Sequence, residues 1–339
     1  MNGYSDTLEQ LLAGESLSED AAAALMAALA ADDLPAAQAG ALLAALRAKG
    51  ETADEVRGFA REMRSRAVRP PIDSVAGAVD CVGTGGDGSG SYNLSTGAAL
   101  LAAACGVPII KHGNRSVSSR SGSADMLEVL GMNLGATPTE AAEQLHKTGF
   151  TFLFAPIYHP AMKAVVPIRK AMGVRTVFNI LGPLTNPATP PFGVIGAFAA
   201  PVAQLMADAL SGLEMRKVFV VHGHNGWDEA TPVAPFDLWT VTPGSVVHSQ
   251  RTPEDYGVQR CSAEALAGGD AEHNARGLTA VMYGEDHGAH RDALLIGVAL
   301  MLEASGRVSD PRAGMEVAAQ CIDSGAARRY LETLRASES

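Results

Sequence analysis

Two textures of apolar and polar positions divide the chain. Up to about Ala67 the apolar residues recur at helical spacing, with no strand-like alternation. Ser18 stands before Glu19 and Asp20, a helix start for the run 21–30. Pro35 suits the first turn of a second helix, and Gly50 its end. Thr52 and Glu55 make a capping-box pattern for a third, with Val56, Phe59 and Met63 on one face. Arg69, Pro70 and Pro71 break this pattern and mark a domain boundary.

From about Ser74 short apolar runs alternate with helical patterns. Strands are predicted at 79–82, 107–110, 152–154, 193–198 and 218–221, and helices at 94–105, 124–130, 139–148 and 201–213. The stretch 236–251 reads as a hairpin turning at Pro243-Gly244, and helices dominate again over 274–334. The fold class is therefore α/β: a small all-helical N-terminal domain, 1–71, and a larger α/β domain, 72–339. The larger domain carries a mostly parallel central sheet flanked by helices. In such sheets ligands sit beyond the carboxyl ends of the strands.

Composition narrows the partners. The chain has 339 residues, 47% of them hydrophobic, and a net charge of -11. That acidic balance argues against a nucleic-acid or membrane-surface binder, so an anionic substrate has to be captured locally. The four cysteines are far apart and form no CxxC pair, which suits reduced thiols in a cytoplasmic protein. The N-terminus has no signal-peptide pattern, and no apolar run reaches membrane-spanning length without charge or proline.

The chemistry concentrates between Val79 and Ser123. The first strand runs into Gly83-Thr84-Gly85-Gly86-Asp87, where glycines permit a sharp turn and close approach of backbone N–H groups to a ligand. Asn93, Ser95 and Thr96 open an Ala/Leu helix whose N-terminus favours an anion. A second strand delivers Lys111-His112-Gly113-Asn114-Arg115 and a cluster of serines. GTGGD alone is a common turn; its pairing with KHGNR across one helix points to a phosphorylated, polyhydroxylated ligand. Asp228 and Glu229 follow a further strand, so they gain the same sheet edge. The HGH of His222 and His224 has no third ligand nearby and makes a weak zinc signal. His287 and His290 read as exposed loop residues, Arg175 as one half of a surface or hinge ion pair, and His159 as either a packing residue or a border of the substrate path.

These motifs, in order, resemble the anthranilate phosphoribosyltransferase family of the nucleoside phosphorylase/phosphoribosyltransferase fold. KGET at 49–52, GTGGDG, NLST, KHGNRSVSSRSGSAD, VRTVFNILGPLTNP, a WDE loop and a late DSGAA span nearly the whole chain. The resemblance implies a homodimer formed through the helical domain, to which a segment at about 159–186 returns. It implies that Gly83, Gly86 and Asp87 line a phosphoribosyl diphosphate site, and that Ser91, Asn93, Leu94, Ser95 and Thr96 hold its phosphates. Lys111, His112, Gly113, Asn114, Arg115, Ser116, Val117, Ser118, Ser119 and Ser123 would surround ribose and diphosphate. Gly83, Asn114 and Arg169 match anthranilate-contacting positions. Asp228 and Glu229, with Ser95 beside them, match the Mg²⁺ ligands. The acidic loop departs from the family pattern at Asn225 and Trp227, and a late helix departs at Ile296-Gly297-Val298.

The implied reaction needs little covalent chemistry. Pyrophosphate leaves C1 of the ribose and an amine attacks, so positioning and electrostatics dominate. Lys111 would supply a point charge, Arg115 a fork for phosphate oxygens, and Arg169 the partner of the anthranilate carboxylate. An aromatic amine is a free base at neutral pH, so neither a nucleophilic residue nor a strong general base is expected. Two rivals use related sequence features: a pyrimidine nucleoside phosphorylase, which shares a KHGNR-like loop, and a non-catalytic relative that binds nucleic acid. The acidic pair and Arg169 disfavour the first, and the negative net charge with the intact acidic pair disfavours the second.

Overall fold

A computed structural model describes residues 3–115 and 120–336. The chain opens with α1 (Gly3–Leu12), α2 (Glu19–Ala30), α3 (Ala36–Lys49) and α4 (Ala53–Ser65). Ser18 Oγ accepts the N–H of Ala21 at 3.2 Å, and Thr52 and Glu55 exchange both capping-box bonds. Val56, Phe59 and Met63 are buried together. Helix α1 precedes the three helices that the capping signals announced.

Strands and helices then alternate. In order come β1 (Val79–Gly83), α5 (Leu94–Ala104), β2 (Ile109–Gly113), α6 (Ser123–Val129), α7 (Pro138–Thr148) and β3 (Phe150–Phe154). A connecting stretch holds the short α8 (Ala155–Tyr158), α9 (Met162–Met172) and α10 (Phe178–Leu181). β4 (Phe192–Gly196), α11 (Ala200–Ser211), β5 (Lys217–Gly223), β6 (Phe236–Thr242) and β7 (Ser245–Arg251) complete the sheet. The chain closes on α12 (Ala271–Met282), α13 (Ala289–Ala304), α14 (Pro311–Asp323) and α15 (Ala326–Ala336).

The sheet order is β3-β2-β1-β4-β5-β6-β7. The first five strands are parallel, while β6 and β7 are antiparallel and turn at Pro243-Gly244. Alternate residues of β5 serve two cores: Phe219 and Val221 face α5 and α12–α15, whereas Val218 and Val220 face α2–α4 and α11. Burial on both faces explains the unbroken apolar run in that strand. Val165, Val177, Phe178 and Leu181 share the core of α2–α4, so the connecting stretch packs against the opening helices.

One boundary differs from the sequence reading in a way that matters. The second strand, expected at 107–110, spans Ile109–Gly113. Gly106, at φ 82, and Pro108 delay its start, and pairing with β3 carries it through Gly113. Lys111 and His112 consequently lie inside an interior strand, where successive side chains point to opposite buried faces.

Candidate active site

The order of the parallel strands reverses direction between β1 and β4, which opens a crevice above their carboxyl ends. The loop after β1 fills it with Thr84–Asp87, using left-handed backbone at Gly85 (φ 67) and Gly86 (φ 70). The loop after β5 brings in Asp228 and Glu229. Two glycines make room for that meeting. A Cβ on Gly196 at the end of β4 would lie 1.6 Å from the Asp228 carbonyl oxygen, and one on Gly83 would lie 2.4 Å from Asp228 Oδ2.

Both acidic side chains are held by main-chain donors. Gly85 N–H donates to Asp228 Oδ2 at 2.6 Å, and Ser95 N–H donates to Glu229 Oε1 at 3.1 Å. Ser91 Oγ donates to Glu229 Oε2 at 3.3 Å. Asp87 joins them: its Oδ2 accepts Asp228 N–H at 3.3 Å, while its Oδ1 accepts Ser89 Oγ–H at 2.9 Å. Burial and the Asp87 charge push the Asp228 carboxyl up to about 7, against the pull of the Gly85 N–H. Loss of hydration and the charges of Asp228 and Asp87 hold Glu229 well above the ordinary carboxylate range. Three acids thus crowd the N-terminus of α5.

Such crowding fits a divalent cation. Its donors are hard oxygens, and the repulsion among them falls when a cation sits between. Among the described residues no three His, Cys, Asp or Glu side chains form a ready-made metal cage. Ligand oxygens and water would therefore complete the shell, as Mg²⁺ commonly requires.

The expected phosphate cations are occupied elsewhere. Lys111 is 1% exposed and its Nζ donates to the Cys81 carbonyl, between β1 and β2. Its charge stabilises the buried Asp80 carboxylate, which burial nonetheless pushes up to about 6. Arg115 Nη1 contacts Asp125 Oδ1 at 2.7 Å and Glu128 Oε2 at 2.9 Å, and Nη2 donates to Glu128 Oε1 at 3.1 Å. Its fork is filled by carboxylates of α6. His112 is buried against His159, ring centroids 5.0 Å apart, and burial lowers the two to about 3 and about 4. His112, expected around ribose and diphosphate, is instead held inside β2. His159 packs.

At the start of α5, Leu94 and Thr96 turn inward, 4% and 1% exposed, leaving only their backbone to meet a ligand. Asn93 spends its side chain on neighbouring loops, and Gly86 is exposed at the turn. Gly113 ends β2; Asn114 is exposed beside it, and Ser123 Oγ donates to the Asn114 carbonyl at 3.1 Å. Ser116, Val117, Ser118 and Ser119 lie outside the described residues. Arg169 lies on α9 with its guanidinium 5.4 Å from the Phe178 ring centre, and no carboxylate pairs with it among the described residues.

Other sequence expectations also change. Arg175 makes no ion pair among the described residues; it donates to the Gly86 carbonyl and stacks on Phe198 at 4.0 Å. His290 is not an exposed loop residue but is 5% exposed in α13, stacked on Tyr92 at 4.0 Å. The HGH imidazoles diverge: His222 Nδ1 lies 2.8 Å from the Ala197 carbonyl, and His224 Nε2 lies 3.0 Å from Asp237 Oδ2. Trp227 is buried in the core beneath the acidic loop, which fixes that loop from below. Thr84 and Gly85 belong to the glycine turn already read from the sequence, whereas Ser89 and Gly196, which also border the acidic cluster, were missed. The role of Gly196 has no local signature, since it depends on what crosses over β4.

Comparison with known proteins agrees with the fold. Residues 76–328 match the α/β domain of a glycosyl transferase family, and residues 5–67 match that family's helical bundle domain. The anthranilate phosphoribosyltransferase of Desulforudis audaxviator is 47% identical over 97% of this chain and 94% of its own. The solved anthranilate phosphoribosyltransferase of Thermus thermophilus superposes with a TM-score of 0.91 at 41% identity, covering 98% of this chain and 99% of that one. The Saccharomyces cerevisiae enzyme, solved in complex with PRPP and Mg, gives 0.88 at 27% identity, covering 99% and 98%.

Proposed function

Because this chain belongs to the anthranilate phosphoribosyltransferase family, we propose that its crowded acids and the α5 N-terminus are where phosphoribosyl diphosphate is held. The chain transfers the 5-phosphoribosyl group of phosphoribosyl diphosphate to the amine of anthranilate, releasing pyrophosphate, a reaction of tryptophan biosynthesis. The observation that carries the site assignment is the cluster of Asp87, Asp228 and Glu229, with Glu229 resting on Ser91 Oγ and the Ser95 N–H.

Asp228 and Glu229, with Ser95 alongside, would hold Mg²⁺. When bound, it would neutralise the charge that gathers on the departing diphosphate. Glu229 accepts the Ser95 N–H. Turning that carboxylate toward a cation would free the N–H for a phosphate oxygen, in keeping with the anion preference of a helix start. The backbone of Gly83–Asp87 approaches the ribose closely because it carries almost no side chain there. Asn114, just after β2, and Ser123, at the start of α6, would border the same crevice. Arg169, unpaired with any described carboxylate, is the cation available for the anthranilate carboxylate. No residue needs to attack C1, since the amine does so. Lys111 acts from beneath, stabilising the β1–β2 edge.

The domain division, 1–71 with 159–186 returning and 72–339 as the sheet domain, belongs to this reading. It is supported by the shared core of Val165, Phe178 and α2–α4. A homodimer through the helical layer is supported by exposed apolar side chains there, Leu12 at 65% and Val166 at 52%. A cytoplasmic setting is supported by the four free cysteines. No described helix is long and apolar enough to cross a membrane.

The direct test follows anthranilate fluorescence with phosphoribosyl diphosphate and Mg²⁺. Loss of fluorescence with release of pyrophosphate is expected. Folded protein that leaves anthranilate unchanged, or that instead cleaves thymidine with phosphate, would overturn the reading.

A further inference from the structure

The backbone just before NLST, Gly90–Tyr92, is gripped by a stretch far away in sequence. Tyr92 N–H donates to the Leu266 carbonyl at 3.1 Å, Gly268 N–H donates to the Gly90 carbonyl at 2.8 Å, and Ser91 bridges Ala267. A Cβ on Gly268 would lie 2.4 Å from the Ser91 carbonyl oxygen, so the two backbones are in contact. At the end of this rail stands Asn274, in the first turns of α12 and only 1% exposed.

The orientation of Asn274 is fixed by backbone groups. Its Oδ1 accepts Gly269 N–H at 2.8 Å, which leaves Nδ2 to donate to Asn93 Oδ1 at 2.8 Å, 181 positions away in the chain. Asn93 in turn donates Nδ2 to the Ser121 carbonyl at 3.1 Å and accepts Ser121 Oγ–H at 3.2 Å. Neither amide can flip without setting two acceptors or two donors face to face. Asn93 is also the residue at which α5 begins, and its side chain makes no cap bond to that helix. Its amide is instead the joint between α12, the α5 N-terminus and the loop after β2.

We propose that Asn274 is a positioning residue for phosphoribosyl diphosphate. Through Asn93 it sets the α5 N-terminus and the Ser121 segment at one spacing, so that the phosphate donors at Ser91 and Ser95 are preorganised. Asn274 touches no substrate itself. The inference rests on the site assignment made above, and deepens it.

The test compares wild type with Asn274→Ala, with Asn274→Asp, which keeps the volume and the acceptor for Gly269, and with Asn93→Ala and the double variant. Losing one buried hydrogen bond predicts that KM for phosphoribosyl diphosphate rises about fivefold to tenfold in folded single variants. KM for anthranilate should stay within about twofold, and the double variant should be no worse than Asn93→Ala, as expected of residues in one network. Equal loss for both substrates, an unchanged KM for phosphoribosyl diphosphate, or additive effects would overturn the proposal. If wild type itself fails to bind phosphoribosyl diphosphate with Mg²⁺ by calorimetry, the site assignment fails and this inference falls with it. Normal wild-type binding with unaltered variants sinks only the role of Asn274.

Discussion

Asp228 donates its backbone N–H to Asp87 Oδ2 at 3.3 Å across the top of β4. The two residues follow strands that are not neighbours, β1 and β5, and they meet because the strand between them ends in glycine. Together with the Gly85 N–H bond to Asp228 Oδ2, that contact joins the glycine turn to the acidic loop.

Gly196→Ala is therefore expected to be severe. Its Cβ would fall 1.6 Å from backbone, which cannot yield as a flexible side chain can. A loss of roughly 3 kcal/mol or more is expected, at the upper end of overpacking effects. Gly83→Ala meets only the Asp228 carboxylate and should leave the fold while lowering activity. Denaturant midpoints and specific activity of the two variants separate these outcomes; equal behaviour would contradict the geometry.

Asp228→Asn should stabilise the metal-free protein while impairing it. The folded carboxyl titrates at about 7, well above an ordinary aspartate. Between about pH 4 and 7 the folded state holds the proton more tightly than the unfolded one, so stability from this group falls as pH rises. At pH 8 the amide should gain on the order of 4 kcal/mol, and at pH 4 almost nothing. Thermal midpoints without Mg²⁺ at both pH values check this. Activity should fall with an altered Mg²⁺ titration, and an unaltered titration would show that Asp228 does not hold the ion.

The histidines predict the opposite slope on the acid side. Burial lowers His290, packed on Tyr92, to about 4. Between about pH 6.5 and 4 the unfolded state binds more protons, so its contribution is complete above 6.5 and is lost as pH falls through that window. His290→Phe keeps a ring against Tyr92 and removes the titration. The drop in thermal midpoint from pH 7 to pH 5 should be smaller in the variant, and an equal drop would count against burial as the cause.

Arg169→Ala should raise KM for anthranilate and spare that for phosphoribosyl diphosphate. The guanidinium stacks on Phe178 and pairs with no described carboxylate, so structural loss should be limited to about 0.5–1 kcal/mol. Steady-state kinetics with each substrate varied in turn decides it. A matching rise for both substrates would return Arg169 to a packing role.

The helical layer has its own weak point. Lys49 Nζ lies 2.9 Å from Glu55 Oε2 in a pair whose side chains are 6% and 0% exposed, and Glu55 Oε1 also accepts Leu17 N–H at 2.8 Å. Glu55→Ala leaves the Leu17 amide without its acceptor and takes the carboxylate from an ammonium left with Ser16 Oγ and the Gly50 carbonyl, so about 3–5 kcal/mol should be lost. Urea unfolding measures it, and a loss below about 1 kcal/mol would mean that water reaches the pair.

What the sequence determined was local in origin. Ser18, Thr52 and Glu55 announced helix starts, unbroken apolar runs announced strands buried on both faces, and the ordered motifs announced the reaction. Backbone capping, periodicity and turn chemistry act over a few residues and can be read along the chain. Tertiary structure alone decided where each side chain of those motifs points. Lys111 and His112 went into the sheet because β2 runs two residues past Lys111 between two partners, and Arg115 was claimed by acids on α6. Gly196 and Asn274 became site residues because folding brings Asp228 over one and Asn93 against the other. Their importance lies in excluded space and in hydrogen bonds between distant positions, and neither quantity exists until the chain has closed on itself.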